Sequence, residues 1–150
     1  MDHNSTRYWL ALNLLNPLIG ARRAKQLLQL FNHPQALFEA GSLVWQSVGL
    51  SEQACAGLAQ PDWNKVDETL LWADQPGQGI VYLGQSEYPE SLSRISDPPL
   101  LLYYQGDNTL LGRQQLAVVG SRNPTPNGYE TAFDLAASSA KLGFTITSGL

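Results

Sequence analysis

Apolar residues in the first half of the chain recur at steps of three and four. Ala21, Ala24, Leu27, Leu28 and Phe31 fall on one stripe of a 3.6-residue period, so the stretch from Thr6 to about Ala73 predicts several short helices. Breaks fall at Asn16-Pro17 with Gly20, at Asn32-His33-Pro34, at Gly41-Ser42, at Gly49-Leu50-Ser51 and at Gln60-Pro61-Asp62. The serines and asparagines beside them are suited to cap helix N-termini. Helices this short are stable only when packed on one another. From Pro76-Gly77 onward the texture changes, and short apolar runs rich in β-branched and aromatic residues alternate with turn residues. Ile80–Leu83, Leu100–Tyr104, Leu116–Val119 and Phe144–Thr147 predict strands. Between the last two, a stretch from about Gly128 to Leu142 predicts a helix, with Phe133, Ala136, Ala137 and Ala140 on one stripe and Gly143 as its stop.

Strand, turn, helix, strand is the unit that builds a parallel sheet, because a parallel partner requires a crossover connection. The expected fold is therefore α + α/β, with a small all-helical domain over residues 1–75 and a parallel α/β sheet over 76–150. Such a sheet needs both faces covered, which one crossover helix cannot do for three or four strands. The sequence also stops at Thr147-Ser148-Gly149-Leu150, where a further loop and helix are expected. The reading is of the first part of a truncated α/β domain, whose open apolar sheet would favour association if isolated.

Composition changes this picture little. With 43% hydrophobic and 15% charged residues over 150 positions, the chain has the makeup of an ordered globular protein. Its apolar runs fall far short of the ~20 residues of a membrane-spanning helix, and residues 1–15 lack the pattern of a signal peptide, so a cytoplasmic location is expected. Cys55 has no cysteine partner, and with only His3 and His33 beside it a zinc cluster is not expected.

Charge adds more. A formal net charge of -4 opposes nucleic-acid binding when taken as a sum, yet its distribution is uneven. Arg7, Arg22, Arg23 and Lys25 occur between His3 and Phe38 without an acid, and Arg113 and Arg122 between Asn108 and Tyr129, again without one. Both segments also fit ordinary solvated faces.

Two segments carry candidate chemistry. Asn16-Pro17-Leu18-Ile19-Gly20-Ala21-Arg22-Arg23-Ala24-Lys25 is a tight turn opening a helix, where unpaired amides and a positive dipole end favour a phosphate. It resembles the helix-hairpin-helix motif that binds DNA backbones, with Gly20, Arg22, Arg23 and Lys25 as candidate contacts; Val48-Gly49-Leu50-Ser51 looks like a weaker second copy. Modules of this type also serve purely for packing or docking.

The second segment, Leu116-Ala117-Val118-Val119-Gly120-Ser121-Arg122-Asn123-Pro124, is a strand running into a glycine turn. Ligands of open α/β sheets bind at the carboxyl ends of strands. There Gly120 admits close backbone approach, Ser121 offers a hydroxyl, and Arg122 presents a guanidinium fork matched to phosphate oxygens. Neither a G-x-G-x-x-G fingerprint nor a P-loop is present, and no histidine follows His33. Dinucleotide, ATP-hydrolysis and serine-hydrolase sites are thus unsupported, and no catalytic residue is assigned. Tyr88, Tyr103 and Tyr104 offer stacking faces, but strand-like surroundings favour packing for all three.

Taken in order, Tyr88-Pro89-Glu90-Ser91-Leu92, Asp97-Pro98-Pro99-Leu100-Leu101-Leu102-Tyr103 with Gly106, Val118-Val119-Gly120-Ser121-Arg122 and Thr147-Ser148-Gly149-Leu150 resemble the successive signatures of the DNA-processing protein A (DprA/Smf) family. The resemblance implies a helical, helix-hairpin-helix or SAM-like domain ahead of an extended Rossmann-like domain. It implies single-stranded DNA binding and protection during natural transformation (competence), loading of the RecA recombinase, homodimerisation, and neither a cofactor nor catalytic turnover. The family's DNA-phosphate pocket maps to Gly120, Ser121 and Arg122 on one loop and to Ser148 and Gly149 on another. Asn127 stands where the family commonly has tyrosine. A Rossmann-like enzyme such as a nucleotide phosphoribohydrolase, which also holds phosphate on a Gly-Ser turn, is the competing reading.

Overall fold

The computed structural model describes residues 3–149, and the chain divides into two compact units, one up to Asn108 and one from Thr109. The change of texture at residue 75 falls inside the first unit. Among the described residues, that unit holds α1 (His3–Leu14), α2 (Asn16–Ile19), α3 (Ala21–Phe31), α4 (Pro34–Glu39), α5 (Ser42–Ser47), α6 (Glu52–Ala59), α7 (Trp63–Ala73), β1 (Gln78–Tyr82), α8 (Glu90–Ser93) and β2 (Leu101–Gln105).

Local chemistry sets the ends of these helices. Ser51 Oγ accepts the Ala54 amide at 3.2 Å, Asp62 Oδ1 the Lys65 amide at 3.0 Å, and His33 Nδ1 the Gln35 amide at 3.1 Å, each satisfying an orphan donor of a first turn. Gly20 joins α2 to α3 at φ 78, a left-handed conformation that a side chain would strain. Helix α1 runs through the centre and packs on α4 and α7. Leu10, Leu12, Leu27, Leu37 and Val66 are fully buried around it, each worth about 1.5–3 kcal/mol relative to exposure. Trp45 Nε1 donates to the Leu37 carbonyl at 2.7 Å, tying α5 to α4 in the core.

Strands β1 and β2 pair antiparallel, Ile80 opposite Tyr103, and add Ile80, Leu100 and Leu101 to the helical core. A parallel arrangement was the expectation for all four strands. The connection from Leu83 to Leu100 holds only the four-residue α8, and without a crossover helix the chain returns antiparallel.

The second unit follows a 3₁₀ turn at Asn108–Gly112 and consists of β3 (Gln115–Ala117), α9 (Pro126–Lys141) and β4 (Thr145–Thr147). Here β3 and β4 are parallel, with α9 as the crossover, as the sequence pattern predicts. The stripe expected to bury α9 is only partly covered: Ala136 and Ala137 are half-buried, whereas Phe133 and Ala140 are exposed and Ser139 is buried instead. Two short strands cover a narrow strip of a sixteen-residue helix. The whole is a mixture of helices and small sheets.

Candidate nucleic-acid interface

The site grows out of the register of β3 and β4. Ala117 stands opposite Thr147, and the Val118 amide donates to the Thr147 carbonyl at 2.8 Å, carrying the pairing one residue past β3. Two loops therefore leave adjacent parallel strands at their carboxyl ends, one through Gly120, Ser121 and Arg122, the other through Ser148 and Gly149. All five residues border one open cleft of about 710 Å³, together with Val119 and, from α9, Tyr129.

Arg122 is exposed, and among the described residues no ion pair engages its guanidinium. Gly120 and Gly149 are not at positive φ, and a Cβ on either would meet nothing within 4 Å. Glycine at these positions relieves no backbone strain; what it leaves is open space beside the loop amides. Ser121 acts differently from the sequence reading, since its hydroxyl is engaged in its own loop. It accepts the Asn123 amide and donates to the Asn123 carbonyl, both at 3.2 Å. At the start of α9, Thr125 Oγ1 accepts the Gly128 amide at 3.2 Å and the Thr125 carbonyl takes the Tyr129 amide at 2.9 Å. Thr125-Pro126 is a readable cap signature, a hydroxyl ahead of proline in the first turn.

Sequence reasoning passed over Tyr129, whose ring is exposed at this cleft. The tyrosines it did weigh make packing contacts, Tyr103 while remaining 49% exposed. Tyr88 is buried and its hydroxyl donates to the Pro99 carbonyl at 2.8 Å, joining two of the sequence signatures. Tyr103 meets Trp72 edge-on at 5.9 Å, and Tyr104 lies over Gly79, whose Cβ would come within 2.6 Å of a ring carbon.

At the first candidate turn, Gly20, Arg22, Arg23 and Lys25 are local neighbours at the start of α3. Arg23 serves the fold, because its guanidinium donates to the Val48 carbonyl and, at 3.1 Å, to Gln26 Oε1. It thereby joins α3 to the Val48-Gly49 turn after α5. Arg22 is exposed and Lys25 half-buried, and no ion pair among the described residues involves either. Arg7 pairs with Asp67 at 3.1 Å and lies 4.8 Å from the Trp63 ring centroid.

One constellation resembles a catalytic pair, with Ser5 Oγ 2.8 Å from His33 Nε2. Because His33 Nδ1 accepts the Gln35 amide, the neutral ring carries its proton on Nε2 and donates to the serine, so it cannot act as the base that activates it. Among the described residues no three His, Cys, Asp or Glu side chains gather to hold a metal ion, and no helix is long and apolar enough to cross a membrane.

The chain is an α+β protein, and paired loops at the carboxyl ends of parallel strands, with exposed glycines and a guanidinium unpaired among the described residues, are a geometry that can receive an anion. Comparison with known proteins narrows that class. The profile of the DNA recombination-mediator protein A family matches residues 79–150, a span containing every residue that lines the cleft. The DNA processing protein DprA of Bacillus subtilis (strain 168) is 33% identical over 87 residues, 57% of this chain and 29% of its own length. Protein Smf of Escherichia coli (strain K12) is 30% identical over 146 residues, 97% of this chain and 38% of its own. Protein Smf of Borreliella burgdorferi is 37% identical over 70 residues, 47% of this chain and 22% of its own.

The chain belongs to the DprA/Smf family, whose profile is that of the DNA recombination-mediator protein A. It spans between 22% and 38% of the length of these relatives. Leu150, the last residue of the fourth signature, lies outside the described residues.

Proposed function

We propose that this protein binds single-stranded DNA through the cleft at the ends of β3 and β4, as the DNA-contacting part of a recombination mediator. The observation that carries the reading is the convergence of the Gly120-Ser121-Arg122 and Ser148-Gly149 loops on one cleft where, among the described residues, the Arg122 guanidinium has no carboxylate partner. A guanidinium beside exposed amides holds a phosphate through charge-assisted hydrogen bonds, and a backbone-directed groove takes single strands with little regard to sequence.

On this reading residues 76–150 belong to a Rossmann-like DNA-binding region whose first two strands pack on the helical core. Residues 1–75 form a helix-hairpin-helix-type domain, with Gly20, Arg22 and Lys25 as a secondary backbone contact and Arg23 as its structural support. Family membership extends the proposal to a cytoplasmic homodimer that shields incoming single strands in natural transformation and loads RecA on them. The test is Arg122→Ala. Affinity for unstructured oligonucleotides falls for every sequence, and the slope of log affinity against log salt shrinks by about 0.7, the contribution of one neutralised single-strand phosphate. An unchanged affinity and slope reject the cleft as the DNA site.

A further inference from the structure

Tyr129 borders the same cleft as Arg122 because the loop after β3 turns back into α9. Its ring is 63% exposed, and Phe133, one turn further along α9, is 62% exposed. The two rings lie 6.5 Å apart with planes only 18° from parallel, so Phe133 is the aromatic neighbour of Tyr129 on α9. Val119, 88% exposed, also lines the cleft. The cleft is thus two-sided in chemistry: amides and a guanidinium from the loops, and flat apolar surface from α9 and the end of β3. A free phosphate or the backbone of a duplex would use only the first.

We infer that Tyr129 is a stacking platform for a nucleobase of an unpaired strand whose neighbouring phosphate sits at the Gly120-Ser121-Arg122 loop; the inference rests on the function proposed above. A ligand carrying an anion and a planar apolar ring a few bonds apart is a nucleotide unit. Only an unpaired base exposes its π-face, whereas a base within a duplex is stacked on both sides. Every base has such a face, so the platform selects single strands over duplex without reading sequence.

The experiment uses the full chain with two probes of equal length, oligothymidylate and an abasic oligomer with the same sugar-phosphate backbone. Tyr129→Leu weakens oligothymidylate binding roughly tenfold, the scale of one base–aromatic stack, and leaves abasic binding unchanged. Tyr129→Phe keeps the ring and binds both probes as the wild type does. Arg122→Ala weakens both. If Tyr129→Leu binds oligothymidylate like the wild type while Arg122→Ala weakens both probes, the platform is wrong and the phosphate cleft stands. If Tyr129→Leu weakens both probes equally, the residue acts through the backbone or the fold and the platform is again wrong. If Arg122→Ala changes neither probe, the phosphate cleft fails and takes the platform with it.

Discussion

Replacing Gly120 by alanine separates binding from folding more cleanly than removing a charge. Gly120 is not in the left-handed region, and the added methyl would meet no atom within 4 Å. The substitution therefore brings neither backbone strain nor a clash, and it narrows the unfolded ensemble, a gain of about 0.4–1 kcal/mol where the conformation suits alanine. In the cleft the same methyl stands where an oxyanion would approach the loop amides. Losing one hydrogen bond to a charged oxygen costs about 1.5–3 kcal/mol, or roughly ten- to a hundredfold in affinity. Thermal unfolding followed by circular dichroism gives the first quantity, and fluorescence anisotropy with a labelled oligothymidylate at fixed salt gives the second. The expected result is a melting temperature at or slightly above that of the wild type with clearly weaker binding. Wild-type affinity together with a raised melting temperature would show that no ligand comes near Gly120, and a lowered melting temperature would show that this glycine serves the fold.

Two further outcomes test the packing. Leu27→Ala removes a side chain with no exposed surface at the buried face of α3, so urea unfolding should register a loss of about 2–5 kcal/mol; a loss near 0.5 kcal/mol, typical of surface positions, would contradict the burial described. Burial raises the Tyr88 and Tyr103 hydroxyls above their ordinary value of 10.0, the latter despite an opposing hydrogen bond from Asn13. Folding thus favours the neutral phenols, and the stability they contribute is complete below pH 10 and falls as pH rises through their folded values. Urea midpoints at increasing alkaline pH should decline less steeply in Tyr88→Phe, and an identical decline would rule out that linkage for Tyr88.

Helix boundaries in the first unit were legible because their causes are local. The breaks at Gly20, Asn32-His33, Gly41, Gly49-Leu50-Ser51 and Gln60-Pro61-Asp62 each separate two helices, whereas Asn16-Pro17 forms the first turn of the short α2. Ser51 and Asp62 cap the helices that follow them. Strand positions were legible for the same reason, but pairing is a non-local property. Nothing in Ile80–Leu83 or Leu100–Tyr104 specifies direction; the short α8 connection does, and its lack of a crossover helix was the signal that went unused. Periodicity located α9 but could not say how wide a strip its neighbours cover, hence the exposed Phe133. At the cleft, the strand-then-glycine pattern pointed to Gly120, Ser121 and Arg122, whereas Ser148 and Gly149 were named only through the family resemblance. The engagement of the Ser121 hydroxyl with Asn123, and of Arg23 with the Val48 carbonyl, depends on loop geometry that residue types do not encode.

The same contrast between count and placement resolves the charge problem. Of the nine basic and thirteen acidic residues, three and two respectively fall from Thr109 onward, so that segment carries +1 and the remainder -5. Charges more than about 8–10 Å apart are largely screened at physiological salt, so local charge rather than the net sum sets the potential at an individual loop. The basic residues of the first unit are also fewer in effect than in number, since Arg7 is paired with Asp67 and Arg23 is held by the Val48 carbonyl. What the described residues leave at the cleft is a guanidinium outside any ion pair among them, with loop amides and an aromatic face. Such a site draws its affinity from short-range contacts and little from long-range steering, which is compatible with an acidic chain binding a polyanion.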